Sequence, residues 1–291
     1  MIISIRHKLT IDFGQQVPRL LLHLLLTPQS GPTQTVLDWQ IEIDGDAKTV
    51  PMTDGFGNRA VLASLAGVEQ KVTLSVAGRV ETRGGSGVLG WPMGEPVPWL
   101  YHRVTPSTRV PVSIWGKFRG ETAHRDGQLN AMHGLMARIH DMLDARAESG
   151  DGEAARDPSQ TQSQSGGAGT QSQTQGESDI EIDPALEYAR TFVGSARALG
   201  IPARFVSGYF LASEDDGVES GTHAWAEAHV EGLGWIGFDP RLDVCPTDRH
   251  VRVAVGLDAE TAVAIRAYPP VGRHAAPIET TEILVAAEAD A

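Results

Sequence analysis

Ile3, Ile5, Leu9, Ile11 and Phe13 occupy odd positions, while Ser4, Arg6, Lys8, Thr10 and Asp12 occupy the even ones between them. A period of two predicts a strand with one buried face. His7 lies on the apolar side of that strand and is expected at the edge of a core with a hydrogen-bond partner. Leu37, Trp39, Ile41 and Ile43 alternate with Asp38, Gln40 and Glu42, and Asp44-Gly45 then supplies the turn chemistry of a hairpin. Val72, Leu74, Val76 and Val80 repeat the pattern. With Gly and Pro between these runs, residues 1–110 predict an antiparallel, sandwich-like β domain whose role is scaffolding.

From Gly90 to Ser113 the chain holds five prolines and two tryptophans, too many prolines for a regular helix or a central strand, so an ordered connector is expected. Helical spacing follows at Leu129, Met132, Leu135, Met136, Ile139, Met142 and Leu143, with Asp126 available as N-cap. The methionines read as core filler. Residues 148–178 then lack aromatic and aliphatic anchors and are largely Ser, Gln, Thr and Gly from Ser159 on. Such a stretch buries too little surface to offset its ordering entropy, and predicts a disordered insert within the second domain.

Asp183-Pro184 is a helix start, and Leu186, Ala189, Val193, Ala196 and Leu199 form one apolar face before Gly200 stops the helix. Strands are then predicted for ARFVSGYFL, HAWAEAHV and GWIGF, the last two joined by the turn EGLG. The whole is α+β. It divides into an N-terminal β-rich domain (1–110), a second domain (111–270) carrying the insert, and a C-terminal strand and tail (271–291).

Composition narrows the function. The chain has 291 residues, 41% of them hydrophobic, enough for a sizeable core in one or two domains. Lys and Arg number 24 against 37 for Asp and Glu, a net charge of −13 with no basic cluster, so no nucleic-acid partner is expected. One cysteine, Cys245, excludes an intrachain disulfide and any multi-cysteine metal site. The polar alternation of the first residues is unlike a signal peptide, and the longest apolar run, Leu20 to Leu26, is broken by His23. A cytoplasmic protein with no membrane span is expected.

ARALGIPARFVSGYF followed by HAWAEAHVEGLGWIGFDP resembles the bacterial transglutaminase-like proteins, several motifs occurring in that family's order and spacing. The run ending in DGFGN (Asp54 to Asn58) is similar to the β-rich region that precedes their catalytic domain, and CPTDRHVRVAVGLD to the segment that trails it. The resemblance implies a papain-like transglutaminase core and acyl transfer by a Cys, His, Asp triad. In such a triad the Cys sits at a helix N-terminus that favours thiolate, the His activates it, and the Asp orients the imidazole. Position by position, the His is His223 and the Asp is Asp239.

The same alignment places the nucleophile on Ala185, which has no nucleophilic atom, and no Cys, Ser or Thr occurs from Asp179 through Arg190. Cys245 follows Asp239 by six residues at a loop-like position beside Pro246, and is expected to be a small structural hydrophobe. His223, Trp225, Glu227 and His229 share one strand face, but residues 223 and 229 stand about 20 Å apart at roughly 3.3 Å per residue, too far to hold one metal ion. Tyr209 and Trp235 are expected in the core. The glycine pairs at Gly84 and Gly166 lack the strand-turn-helix setting of a phosphate loop. No cofactor or metal is expected.

The expectation is a degenerate transglutaminase-like protein, a pseudoenzyme that binds a peptide or protein partner in the former active-site cleft. Two alternatives stand beside it: a thiol-dependent peptidase or acyl transferase using Cys245, and a non-catalytic assembly component whose insert tethers partners.

Overall fold

The computed structural model describes residues 1–92, 94–123, 125–149, 184–214, 216–269 and 277–288. Most of the expected insert, from residue 150 on, lies outside the described residues, as does Asp183. In chain order the strands are β1 (Ile2–Asp12), β2 (Val17–Leu24), β3 (Gln34–Ile43), β4 (Lys48–Thr53), β5 (Arg59–Val68), β6 (Lys71–Thr82) and β7 (Val88–Gly90). After the helices come β8 (Ala203–Phe210), β9 (Gly221–Val230), β10 (Gly234–Phe238), β11 (His250–Gly256), β12 (Ile265–Tyr268) and β13 (Ile278–Ala287). The helices are α1 (Val112–Trp115), α2 (Arg125–Glu148) and α3 (Pro184–Ala198).

Three sheets result, with strand orders β13-β1-β6-β3, β12-β2-β5-β4 and β11-β8-β9-β10-β7. The period of two on β1 and β6 turns Leu9, Ile11, Val72, Leu74 and Val76 inward, where they meet Leu20, Leu22 and Leu24 of β2 and Leu65 of β5. Each such side chain taken out of water contributes about 1.5–3 kcal/mol before entropy is counted. The expected hairpin at Asp44-Gly45 does not form. Strand β3 pairs with β6, and β4 with β5, so the turn carries the chain from one sheet to the other. Every residue of β4 is exposed, and Pro51, which has no N–H to donate, sits on this edge strand. The chain later returns to the first two sheets, β12 pairing with β2 and β13 with β1.

The third sheet carries the helices on one face. Phe192, Val193 and Ala196 of α3 pack on Ala224, Ala226 and Ala228 of β9, whose small side chains let the helix approach, and Phe192 stacks on Phe238 at 5.1 Å. Met132, Leu135, Met136 and Ile139 of α2 complete this core. Helix α2 starts at Arg125, so Asp126 falls in its first turn rather than before it. The proline-rich connector is ordered into β7, short 3-10 turns at Pro98–His102 and Pro106–Thr108, and α1. It presses on α3 so closely that a Cβ on Gly194 would lie 2.2 Å from the Thr108 carbonyl oxygen. Buried Arg197 ties the end of α3 down by donating to the carbonyls of Arg103, Ala203 and Leu257. The first and third sheets meet through Ile3, Ile5, Val80, Tyr209, Val251 and Val253. Among the described residues, no helix is long and apolar enough to cross a membrane.

Candidate active site

Alternation along β9 places Ala224, Ala226 and Ala228 under α3 and turns His223, Trp225 and Glu227 to the opposite face. Strand β10 ends on Phe238, which belongs to the helical core, so the next residue, Asp239, turns toward His223. A backbone bridge between Asp239 and Val244 closes the loop that follows, with N–H to O distances of 2.8 and 3.2 Å. Within that loop Asp239 Oδ1 accepts the N–H groups of Arg241 at 3.0 Å and Leu242 at 3.4 Å.

The other carboxylate oxygen binds two imidazoles. Asp239 Oδ2 lies 2.6 Å from His223 Nε2 and 3.1 Å from His250 Nε2, and all three side chains are buried. His223 and Asp239, the two positions singled out by resemblance, are thus in contact. His250, at the start of β11, is a site residue that sequence reasoning missed, since no periodicity or spacing marks it. Its Nδ1 accepts the N–H of Thr247 at 3.1 Å, which places its own proton on Nε2, pointing at Asp239. Burial pushes the His250 pKa down despite the hydrogen bond to Asp239. Burial alone would raise the Asp239 carboxyl, but His223 and His250 overcome it and hold it well below the usual carboxylate range. Phe210 packs 5.3 Å from His223 and 4.7 Å from His250, and Trp225 meets His250 edge-on at 5.3 Å. Trp225 lies over bare backbone at Gly208, where a Cβ would come within 2.7 Å of its ring.

The nitrogens and carboxylate of His223, Asp239 and His250 converge within 4.8 Å, close enough to raise the question of a metal ion. The donor set does not fit one. A neutral imidazole that ligates through Nε2 keeps its proton on Nδ1, and on His250 that position faces the Thr247 N–H. The arrangement suits a carboxylate held by two N–H donors.

Helix α3 begins beside this cluster. Leu186 lines a cavity of ≈ 200 Å³ together with Thr222, His223, Ala224, Ser207 and Tyr209, and Ala185 is buried in the helical core. Cys245 is half-buried against the same core, and burial and then Asp243 raise its pKa above that of an ordinary thiol. Tyr209 is buried and bonded to His7 Nδ1 at 3.0 Å, and His7 Nε2 reaches Thr280 Oγ1 at 3.2 Å. Trp235 packs edge-on against Tyr101. Glu227 does not approach His223: it bonds Arg204 at 2.5 Å and Arg252 at 2.8 Å, while His229 packs between Trp91 and Trp235.

Comparison with known proteins gives this geometry a context. Residues 3–81 match the bacterial transglutaminase-like N-terminal region, and residues 185–240 match the transglutaminase-like superfamily. An uncharacterized protein of Mycobacterium leprae is 41% identical over 66 residues, 21% of this chain and 23% of that protein, so the chain matches under a quarter of that relative's length. Among solved structures, a proposed cysteine protease from Cytophaga hutchinsonii is similar with a TM-score of 0.55 and 15% identity, over 98% of this chain and 89% of the other. The periplasmic domain of TgpA from Pseudomonas aeruginosa bound to ethylmercury, at 17% identity over 81% and 75% of the two chains, has a TM-score of 0.29, too low to carry an argument. The fold is transglutaminase-like with an N-terminal β-rich region. The second match opens at Ala185 and contains His223 and Asp239, whereas His250 lies outside both.

Proposed function

We propose that this chain, transglutaminase-like in both of its matched regions, works without the thiol chemistry of that fold and binds a peptide or protein segment non-covalently beside His223. The observation that carries the reading is Ala185 at the start of α3, where the next residue, Leu186, lines the cavity beside an intact His223–Asp239 pair. A methyl group cannot attack a carbonyl. Cys245 offers no replacement, because its pKa is raised where an activated thiol needs it lowered. What the pair retains is binding capacity. In its neutral form His223 gives its Nε2 proton to Asp239 and keeps a lone pair on Nδ1, which has no hydrogen-bond partner among the described residues. An amide N–H or a hydroxyl of a ligand suits that acceptor. The same reading keeps divisions near residues 110 and 270, although two strands cross them: β7, before 110, joins the third sheet, and β12, before 270, joins the second, followed by β13 in the first. It also assigns the protein to the cytoplasm, in keeping with its single cysteine.

The test joins turnover to binding. The native protein is assayed for amine incorporation into peptides and for peptide hydrolysis, and a peptide library is screened for binding by calorimetry. Binding without turnover is expected, weakened about 5- to 30-fold in His223→Ala, the loss of one hydrogen bond of roughly 1–2 kcal/mol. Ala185→Cys should recover little activity, because Asp183, Leu186 and Glu187 stand where the Gly-x-Cys-Gln-Asp motif of the resembled family has its Gly, Gln and Asp. Turnover by the native protein that disappears in Cys245→Ala would overturn the reading in favour of a relocated nucleophile.

A further inference from the structure

We infer that His250 is a positioning residue of this site, whose imidazole holds Asp239 and, through it, sets the orientation and protonation of His223. Asp239 has two oxygens and four donors. Two backbone N–H groups occupy Oδ1, and two imidazole N–H groups occupy Oδ2. The carboxylate therefore has no rotational freedom while both rings are present. His250 is itself fixed from behind: the Thr247 N–H fills Nδ1, and Phe210 and Trp225 hold the ring plane. A second proton on that ring would face the Thr247 N–H, so His250 stays a neutral donor aimed at Asp239.

The charges around the cluster leave this division of labour undisturbed. Arg249 precedes His250 in the chain, but its guanidinium is committed to Asp216. Glu227 and Arg252, on the same strands as Trp225 and His250, are paired with each other. The negative charge of Asp239 is thus shared between two rings, and His250 takes part of what His223 would otherwise receive alone. Without His250 the carboxylate turns wholly to His223 and stabilises its imidazolium. The inference concerns how the imidazole is held rather than what it meets, so it stands or falls separately from peptide binding.

The experiment is long-range nitrogen–proton NMR of the histidine rings in the full chain, titrated between pH 5 and 8. In the native protein His250 shows the Nε2–H tautomer throughout its folded range. In His250→Leu the midpoint of His223 rises by about one pH unit and its two-site pattern broadens. In His250→Gln, whose neutral amide N–H reaches the place of Nε2, it moves back toward the native value. An unchanged His223 midpoint and tautomer in a folded His250→Leu protein would overturn the inference and leave His250 a packing residue. Should the leucine variant not fold, the native spectrum still decides, since a His250 protonated on Nδ1 contradicts the arrangement outright.

Discussion

Two buried polar clusters share the face of the third sheet turned away from α3, and they are completed in different ways. In one, Glu227 receives Arg204 and Arg252, and Glu95 binds the same two guanidinium groups at 2.6 and 3.3 Å. Arg204 also lies over the Trp235 ring at 4.0 Å. Burial would push the Glu227 carboxyl up, but Arg204 and Arg252 hold it below its ordinary value. Its charges are answered from within the chain. In the other cluster Asp239 is equally buried and equally satisfied, yet His223 ends the network with an acceptor that has no partner among the described residues, beside a cavity. The ion cluster is balanced in charge but still leaves Arg204 Nη2 buried without a hydrogen-bond partner among the described residues. What sets the second cluster apart is that its spare atom belongs to His223, a residue lining the cavity where we propose the ligand binds.

The contrast is broken most severely at Glu227. Glu227→Leu leaves Arg204, which is fully buried, with only Glu95 to answer it, and removal of one member of a buried ion pair costs about 3–5 kcal/mol. Urea denaturation should show that loss. Asp239→Asn is expected to cost less, about 1–3 kcal/mol, because a neutral amide still accepts from one ring, while ligand affinity falls with it. Equal stability losses at the two positions would erase the distinction.

Acid separates the regions next. The pKa of His7, which bonds Tyr209 across the same cavity, is lowered by burial to about 4. The unfolded chain takes up this proton near pH 6.5, before the folded one does. The contribution is therefore complete above that pH and is lost as pH falls toward 4, a difference of about 3 kcal/mol. Urea midpoints at pH 7 and pH 4.5 measure it, and His7→Phe should flatten the dependence while lowering the starting stability. The Arg204–Glu227 cluster should remain silent over this range, since its carboxyl is held ionised.

Residues that depend on local pattern were legible in the sequence, and those that depend on pairing at a distance were not. The period of two on β1, β6 and β9 set which side chains face inward, and it placed His223, Trp225 and Glu227 on one face before any coordinates. The His223–Asp239 pair followed from resemblance. Asp44-Gly45 misled because turn chemistry is local, whereas β3 pairs with β6 and β4 with β5, in different sheets, and neither pairing is written in the turn. Arg204 and Arg252 could not be matched to Glu227 because they come from the strands of other segments. His250 was hidden for the same reason: its meaning lies in a Thr247 N–H on one side and Asp239, eleven residues earlier, on the other.

The smallest expected effect is at Cys245, and it tests the contrast most sharply. The thiol is half-buried beside Gly87, where a Cβ on the glycine would come within 2.9 Å of the cysteine Cβ, so the side chain fills space between β10 and the β6–β7 connection. Cys245→Ala should cost about 1 kcal/mol or less and leave ligand binding unchanged. With its pKa raised by burial and Asp243, the thiolate fraction at pH 6 lies below that of a free cysteine peptide, and alkylation followed by intact mass should be correspondingly slow. The rate should climb tenfold per pH unit up to pH 8, as for a thiol without a helper. Fast labelling at pH 6 that vanishes in His223→Ala would mean that the spare acceptor on His223 is spent on this sulfur, and the open cluster would then be a catalytic one.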